Sequence, residues 1–264
     1  MKGIILAGGT GTRLLPLTAI TSKQLLPVYD RPMIFYPLDT LIKAGIKDIL
    51  IIVAPEHSGS FLNLLGSMLR KFGVNLSFVV QKSPRGLAEA YILAEDFLDG
   101  EPSTLVLGDN IFEDDFTDAI TSFEKGGRVF ACKVSDPKRF GVVEFGDDNK
   151  VLSIEEKPEH PKSSYAIPGI YIFDGKAVEI ARTLSPSHRG ELEITDVQRH
   201  YLDKHELDVR VMKGAWFDMG THESLFEASA FAREKKLGEK MHPMIQEAIG
   251  EFNKEFKRIV SIHK

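Results

Sequence analysis

Met1-Lys-Gly-Ile-Ile-Leu-Ala-Gly-Gly-Thr-Gly-Thr-Arg13 opens the chain as an apolar, strand-like run that passes directly into a glycine-rich loop ending in an arginine. A loop of this composition suits phosphate. Gly8, Gly9 and Gly11 permit positive φ and close backbone approach, successive amides can face anionic oxygens, and Arg13 adds a forked, permanent cation. Two commoner phosphate loops are excluded by spacing: Leu14 stands where a dinucleotide fingerprint needs its third glycine, and Gly-Thr-Arg replaces the Gly-Lys-Ser/Thr of a P-loop. A tight turn after a first strand is the competing reading of a Gly-Gly pair, and Arg13 with Lys23 beyond it favours phosphate.

Outward from this loop, strand-like runs at Gly3-Leu6, Ile49-Val53, Leu76-Val80, Thr104-Leu107 and Val129-Val134 alternate with helical patterns. That rhythm predicts an α/β fold with a largely parallel sheet. One helix is expected to take Asp30 as its cap, Pro32 in its first turn and Gly45 as its stop. Beyond Asp136-Pro137 the pattern turns to short strands, Gly141-Phe145 and Val151-Ile154, around an expected hairpin turn at Gly146-Asp-Asp-Asn149. Ile167-Phe173 and Asp208-Met212 read as further strands, and Gly175-Leu184, Glu193-Leu202 and Glu223-Lys236 as helices. From Pro243 to Ile262, apolar residues at three- and four-residue spacing predict an amphipathic helix that docks on the chain's own core or on a second subunit.

Length and composition set the outer bounds. The 264 residues carry 43% hydrophobic and 27% charged side chains, an ordinary globular balance. A net charge of -5 argues against broad electrostatic binding to nucleic acid or an anionic membrane. There is no apolar run of spanning length and no secretion-type leader, so the expected compartment is the cytoplasm. Cys132 is the single cysteine, which excludes an internal disulfide and a cysteine zinc cluster.

Several side chains could carry chemistry. Asp109 follows Leu105-Val-Leu-Gly108, so it is expected at the carboxyl end of a strand, on the edge that also receives the glycine loop. Asp218, in Trp216-Phe-Asp-Met-Gly-Thr221, is a second acidic candidate; two carboxylates beside a nucleotide would suit Mg²⁺, although an Asp after a strand is often only a turn or cap. Lys157 ends a strand before Pro158 and reads either as a solvated lysine or as a phosphate ligand, as does Lys23. Gln81 and Gly86 flank a strand-to-helix turn; the amide could pair with a base edge, or the turn could simply cap the helix. For Arg189-Gly-Glu-Leu-Glu-Ile-Thr-Asp196 a solvated loop and a substrate contact are both open.

Taken in order, Leu6-Ala-Gly-Gly-Thr-Gly-Thr-Arg13, Ser22-Lys-Gln-Leu-Leu-Pro27, Leu107-Gly-Asp-Asn110, Glu155-Glu-Lys-Pro158, Arg189-Gly-Glu-Leu-Glu-Ile-Thr-Asp196 and Trp216-Phe-Asp-Met-Gly-Thr221 resemble the glucose-1-phosphate thymidylyltransferases over roughly residues 1 to 235. The resemblance implies a Rossmann-like nucleotidyltransferase fold with a mixed, mainly parallel central sheet, a main domain over 1–236 and a short C-terminal helical extension over 237–264. It implies attack of glucose 1-phosphate on the α-phosphorus of dTTP, release of pyrophosphate, Mg²⁺ as cofactor and a homo-oligomer. By the same resemblance Arg13 would hold the leaving pyrophosphate, Lys23 the triphosphate, Lys157 the acceptor phosphate, and Asp109 with Asp218 the metal. Leu6, Gly8, Gly9, Thr10, Gly11 and Thr12 would cradle the nucleotide, Gln81 and Gly86 would read thymine, and Asn110, Gly141, Glu156 and Ile167 would line the sugar.

Two departures stand out. Phe140 occupies a place where relatives often carry tyrosine, which removes an expected hydroxyl near the sugar. The chain after Lys236 is shorter than in the long-form enzymes, which puts their regulatory nucleotide site and tetramer in question. A uridylyltransferase and a non-catalytic sugar-nucleotide-binding regulator are the alternatives, the latter disfavoured because Arg13, Lys23, Asp109, Lys157 and Asp218 are all present.

Overall fold

The structure, a computed structural model, describes residues 1–147 and 150–262. From the N-terminus the elements run β1 (Lys2–Ala7), β2 (Pro27–Val28), β3 (Arg31–Pro32), α1 (Phe35–Lys43), β4 (Asp48–Val53), α2 (Ser58–Leu65), β5 (Asn75–Val80), α3 (Glu89–Leu93), α4 (Glu95–Leu98), β6 (Ser103–Leu107) and β7 (Asn110–Phe112). The rest comprises α5 (Thr117–Thr121), β8 (Gly127–Lys133), β9 (Gly141–Phe145), β10 (Val151–Glu156), β11 (Tyr165–Ala166), β12 (Ile170–Phe173), α6 (Ala177–Thr183), α7 (Ile194–Asp203), β13 (Leu207–Val211), β14 (Trp216–Asp218), α8 (His222–Lys235) and α9 (Pro243–Ile262).

Among the described residues a ten-stranded sheet has the order β10-β9-β11-β8-β12-β6-β1-β4-β5, with β13 added beside β8. The pairs β5–β4, β4–β1 and β1–β6 are parallel, with Ile5 opposite both Ile51 and Val106. From β12 onward the pairing turns antiparallel, except for β8 with β13. The sheet is therefore mixed, its parallel half built from the first 107 residues. Both faces are covered, because alternate residues of each buried strand point to opposite sides. Ile5, Ala7, Ile51 and Val53 meet α1, α2, α8 and α9 on one face, and Ile4, Leu6, Leu50 and Ile52 meet α3, α6 and α7 on the other.

The strands β1, β4 and β5 step outward in one direction, and β6 returns to the opposite side of β1. That reversal opens a crevice at the carboxyl ends of β1 and β6, the place where open α/β sheets hold ligands. Gly108 fits there only without a side chain: an added Cβ would lie 2.9 Å from the Leu6 carbonyl oxygen.

Three local expectations are corrected. Asp30 and Pro32 do not start α1, which begins at Phe35; Pro27–Val28 pairs with Arg31–Pro32 in a small hairpin, so Asp30 sits in its turn and bonds Arg31 instead. The strand expected from Ile167 begins at Ile170, because Ile167 lies off the ladder and donates its N–H to the Gly141 carbonyl at 2.8 Å. The hairpin turn expected at Gly146-Asp-Asp-Asn149 falls partly on Asp148 and Asn149, which lie outside the described residues.

The helix expected at Pro243–Ile262 forms over that span. Ile245 and Ala248 bury in the same cluster as Leu38 and Leu41 of α1, so the helix docks on the chain's own core. The side chains of Phe256 and Ile259, which were part of that pattern, lie outside the described residues. Among the described residues no helix is long and apolar enough to cross a membrane.

Candidate active site

The glycine loop turns through a single left-handed residue. Gly11 has φ of 63°, and an added Cβ would come within 2.9 Å of the Thr18 methyl, so both backbone and space require glycine. Gly8 and Gly9 do not adopt positive φ, contrary to expectation. Their freedom is steric: a Cβ on Gly8 would overlap the Gln81 amide oxygen, and Gly9 faces open space at the cavity wall. Arg13 is exposed on that wall with its guanidinium against Gly220.

Asp109 and Asp218 converge. Strand β14 pairs with β7 so that Asp218 lies opposite Asn110, and the Met219 N–H donates to the Asp109 carbonyl at 2.9 Å. Lys23, carried in from the segment after the glycine loop and largely buried, forms an ion pair with the Asp109 carboxylate. Asn110 donates a further bond to Asp109 at 3.0 Å. Burial alone would raise the Asp109 carboxyl, but the Lys23 ammonium and these hydrogen bonds outweigh it and hold it below the ordinary carboxylate range. Asp218 is pushed up to about 6 by burial and then by the Asp109 charge, against opposing pulls from Lys23, Arg13 and Arg139. Neither aspartate is an idle cap.

Asp109, Asn110, Asp218 and Arg13 border a cavity of about 500 Å³ that also includes Gly141, Glu156, Lys157 and Ile167. Lys157 is half-exposed and holds φ of 41° just past the end of β10, with its N–H donated to the Phe140 carbonyl at 3.0 Å. A lysine in that region costs roughly 1–3 kcal/mol, and here the turn brings its side chain to the cavity wall. Glu156 is raised by burial and by the Glu193 charge, with Lys157 and Arg189 opposing.

Arg189 is no solvated loop residue. Only a quarter exposed, it pairs with Glu193 at 3.1 Å, Glu191 at 3.0 Å and Glu156 at 3.3 Å, and borders the cavity. Asn110 is fully buried and its carbonyl oxygen accepts from Gly169 N at 3.0 Å and Trp216 Nε1 at 2.6 Å, so it fastens three segments around the site.

Leu6, Gly8, Thr10, Gly11, Thr12 and Lys23 belong to the loop and its support and do not border the cavity, nor do Gln81 and Gly86. Gln81 is buried beneath Gly8 and donates to Glu89 at 2.8 Å. Gly86, at φ of 106°, presses against the backbone of Leu192, to which Arg85 and Ala88 hydrogen-bond. Sequence reasoning missed Arg139, whose guanidinium lies 3.7 Å from Asp218 and over the Phe140 ring, and Gln198 of α7. The basic Lys138-Arg139 pair before Phe140-Gly141 was the available signal for the first; Gln198 offered none.

An all-oxygen pair of carboxylates with mutual repulsion is suited to a hard divalent cation. Among the described residues no group of three or more His, Cys, Asp or Glu assembles around a metal position, so a cation here would draw its remaining ligands from substrate and water.

A crevice at the sheet's switch point, lined by paired carboxylates and several cations, defines a protein that handles a nucleotide together with a second anion. Comparison with known proteins agrees. A family profile described as nucleotidyl transferase matches residues 2–235. The glucose-1-phosphate thymidylyltransferase of Neisseria meningitidis is 52% identical over 248 residues, covering 92% of this chain and 86% of that one. Its counterpart in Xanthomonas campestris is 54% identical over 236 residues, covering 87% and 80%. A Bacillus anthracis crystal structure, described as a glucose-1-phosphate thymidylyltransferase in complex with sucrose, superposes with a TM-score of 0.83 at 47% identity, covering 88% of this chain and 95% of that one. UDP-glucose pyrophosphorylase complexed with UDP-glucose reaches 0.78 at 25% identity, covering 89% and 98%. The chain belongs to the nucleotidyl transferase family, among the glucose-1-phosphate thymidylyltransferases.

Proposed function

We propose that this enzyme transfers a thymidylyl group from dTTP to glucose 1-phosphate, giving dTDP-glucose and pyrophosphate. The observation that carries the reading is the meeting of Asp109 and Asp218 with Arg13 and Lys23 at the carboxyl ends of β1 and β6. The acceptor phosphate is already anionic near neutral pH, so the reaction requires alignment and charge relief rather than a general base. Arg13, exposed on the cavity wall, is suited to the departing pyrophosphate. Lys23 would exchange its Asp109 partner for triphosphate oxygens, and Lys157 would hold the acceptor phosphate. Asp109 and Asp218 would hold Mg²⁺, which when bound neutralises phosphate charge during in-line displacement.

Gln81 would read thymine through the carbonyl and the N–H that its bond to Glu89 leaves free, with Gly8 and Gly86 keeping the backbone compact around it. The glycine loop from Leu6 to Thr12 would cradle the phosphates. Gly141, Glu156 and Ile167 would line the hexose, and Asn110 would support it from behind. A homo-oligomer belongs to the same proposal, supported by exposed Ile20, Tyr29 and Phe226, as does a cytoplasmic place of work, in keeping with a nucleotide donor.

Purified protein with dTTP, glucose 1-phosphate and Mg²⁺ should release pyrophosphate and form dTDP-glucose. Absence of product across nucleotides and hexose phosphates overturns the proposal. Competition between dTTP and UTP separates it from a uridylyltransferase, since a fitted methyl is worth about 1–3 kcal/mol.

A further inference from the structure

Helix α7 packs against β10 and turns one face toward the cavity. On that face, one turn beyond Ile194, stands Gln198, which is fully buried in the wall of the same cavity. Its amide nitrogen and its amide oxygen are both buried without a hydrogen-bond partner. Buried amides are nearly always satisfied, so two open valences on one side chain point to a bound group that completes them.

The chemistry of the amide narrows what that group is. Phosphate oxygens only accept, and the cavity already has cations for them in Arg13, Arg139 and Lys157. A neutral amide that donates and accepts at once matches a hydroxyl, which does the same. The neighbouring surfaces of Leu87, Ile167 and Ile194 are apolar and suit the faces of a sugar ring.

We propose that Gln198 is a specificity-determining residue that hydrogen-bonds one hydroxyl of the hexose phosphate. This rests on the hexose 1-phosphate reading of the cavity given above. A site built to bond a hydroxyl discriminates strongly against an analogue lacking it, because the amide is then left unpaired.

The test is a cycle that deletes the side chain and the hydroxyl in turn. Wild type and Gln198→Met, which keeps the length and removes the amide, are assayed with glucose 1-phosphate and its four monodeoxy analogues. In Gln198→Met the KM for glucose 1-phosphate should rise roughly tenfold, with kcat and the KM for dTTP within about twofold of wild type. One monodeoxy analogue should be poor for wild type and lose nothing further in the variant, which identifies the hydroxyl.

Gln198→Asn, one methylene shorter, should show the same hexose-confined loss, and retained dTTP binding checks that each variant folds. Unchanged hexose kinetics in both variants would mean that an internal water satisfies the amide, and would overturn the proposal. So would an equal loss on every analogue. Failure of wild type to turn over any hexose phosphate would instead sink the functional reading itself.

Discussion

Asp218 and Asp109 have the same chemistry and opposite electrostatic fates, because Lys23 touches only one of them. With its carboxyl raised to about 6, Asp218 keeps its proton in the folded protein over a range where the unfolded chain has lost it. In the metal-free protein it therefore stabilises below about pH 4, near the ordinary Asp value, and that contribution is lost as pH rises through 6. A metal bound at Asp218, as proposed, would have to displace the same proton. The rise in Tm produced by Mg²⁺ should be full above about pH 7 and shrink below 6, and Asp218→Asn should flatten that dependence; calorimetric melts at pH 5, 6 and 7.5 with and without Mg²⁺ measure it. Glu156, also raised, works in the same direction, whereas Asp109, held low chiefly by the Lys23 charge against its burial, works in the opposite one.

At the scale of elements, β7 and β14 are three residues long apiece, and beside their own ladder they are fastened by the Asn110 amide. Asn110 ties the Trp216 indole and the Gly169 N–H to β7, which helps set Asp218 on the side of the glycine loop. Asn110→Ala would orphan two buried donors at about 1–3 kcal/mol each. We expect a Tm lower by roughly 5–15 °C and weaker Mg²⁺ binding, followed by thermal melts and calorimetric titration; unchanged melting would contradict the fastening role. Legibility in the sequence follows the same division. Strands such as Gly141–Phe145, and the position of Asp109, were readable because apolar runs and strand ends are local signals. The start of α1 was misplaced because Asp30 and Pro32 carry genuine cap chemistry that a hairpin pairing overrode. Gln198 was silent, since nothing along the chain reveals that a helix face borders a cavity formed by distant strands.

For the whole molecule, the C-terminal segment is tied down at several points. Asp39 on α1 accepts from the His242 N–H at 2.6 Å, and Met241, Ile245 and Ala248 enter the core on the face opposite α7. Ile245 is fully buried, so Ile245→Ala should cost about 2–5 kcal/mol. Thermal melts should fall accordingly while the KM values for both substrates hold, because the helix borders no part of the cavity. A helix that merely rests on the surface would instead tolerate the change.

The seam between β6 and β12 separates parallel from antiparallel pairing, and the chain crosses it in order. On the proposed function, the glycine loop and Gln81, which would hold the nucleotide, precede the seam, whereas Gly141, Glu156, Ile167 and α7, which would form most of the hexose side, come from later in the chain. Donor choice and most of acceptor choice would then be written in consecutive stretches of one polypeptide. Recombination with a relative near this seam should give chimeras that inherit the base preference of one parent and the sugar range of the other.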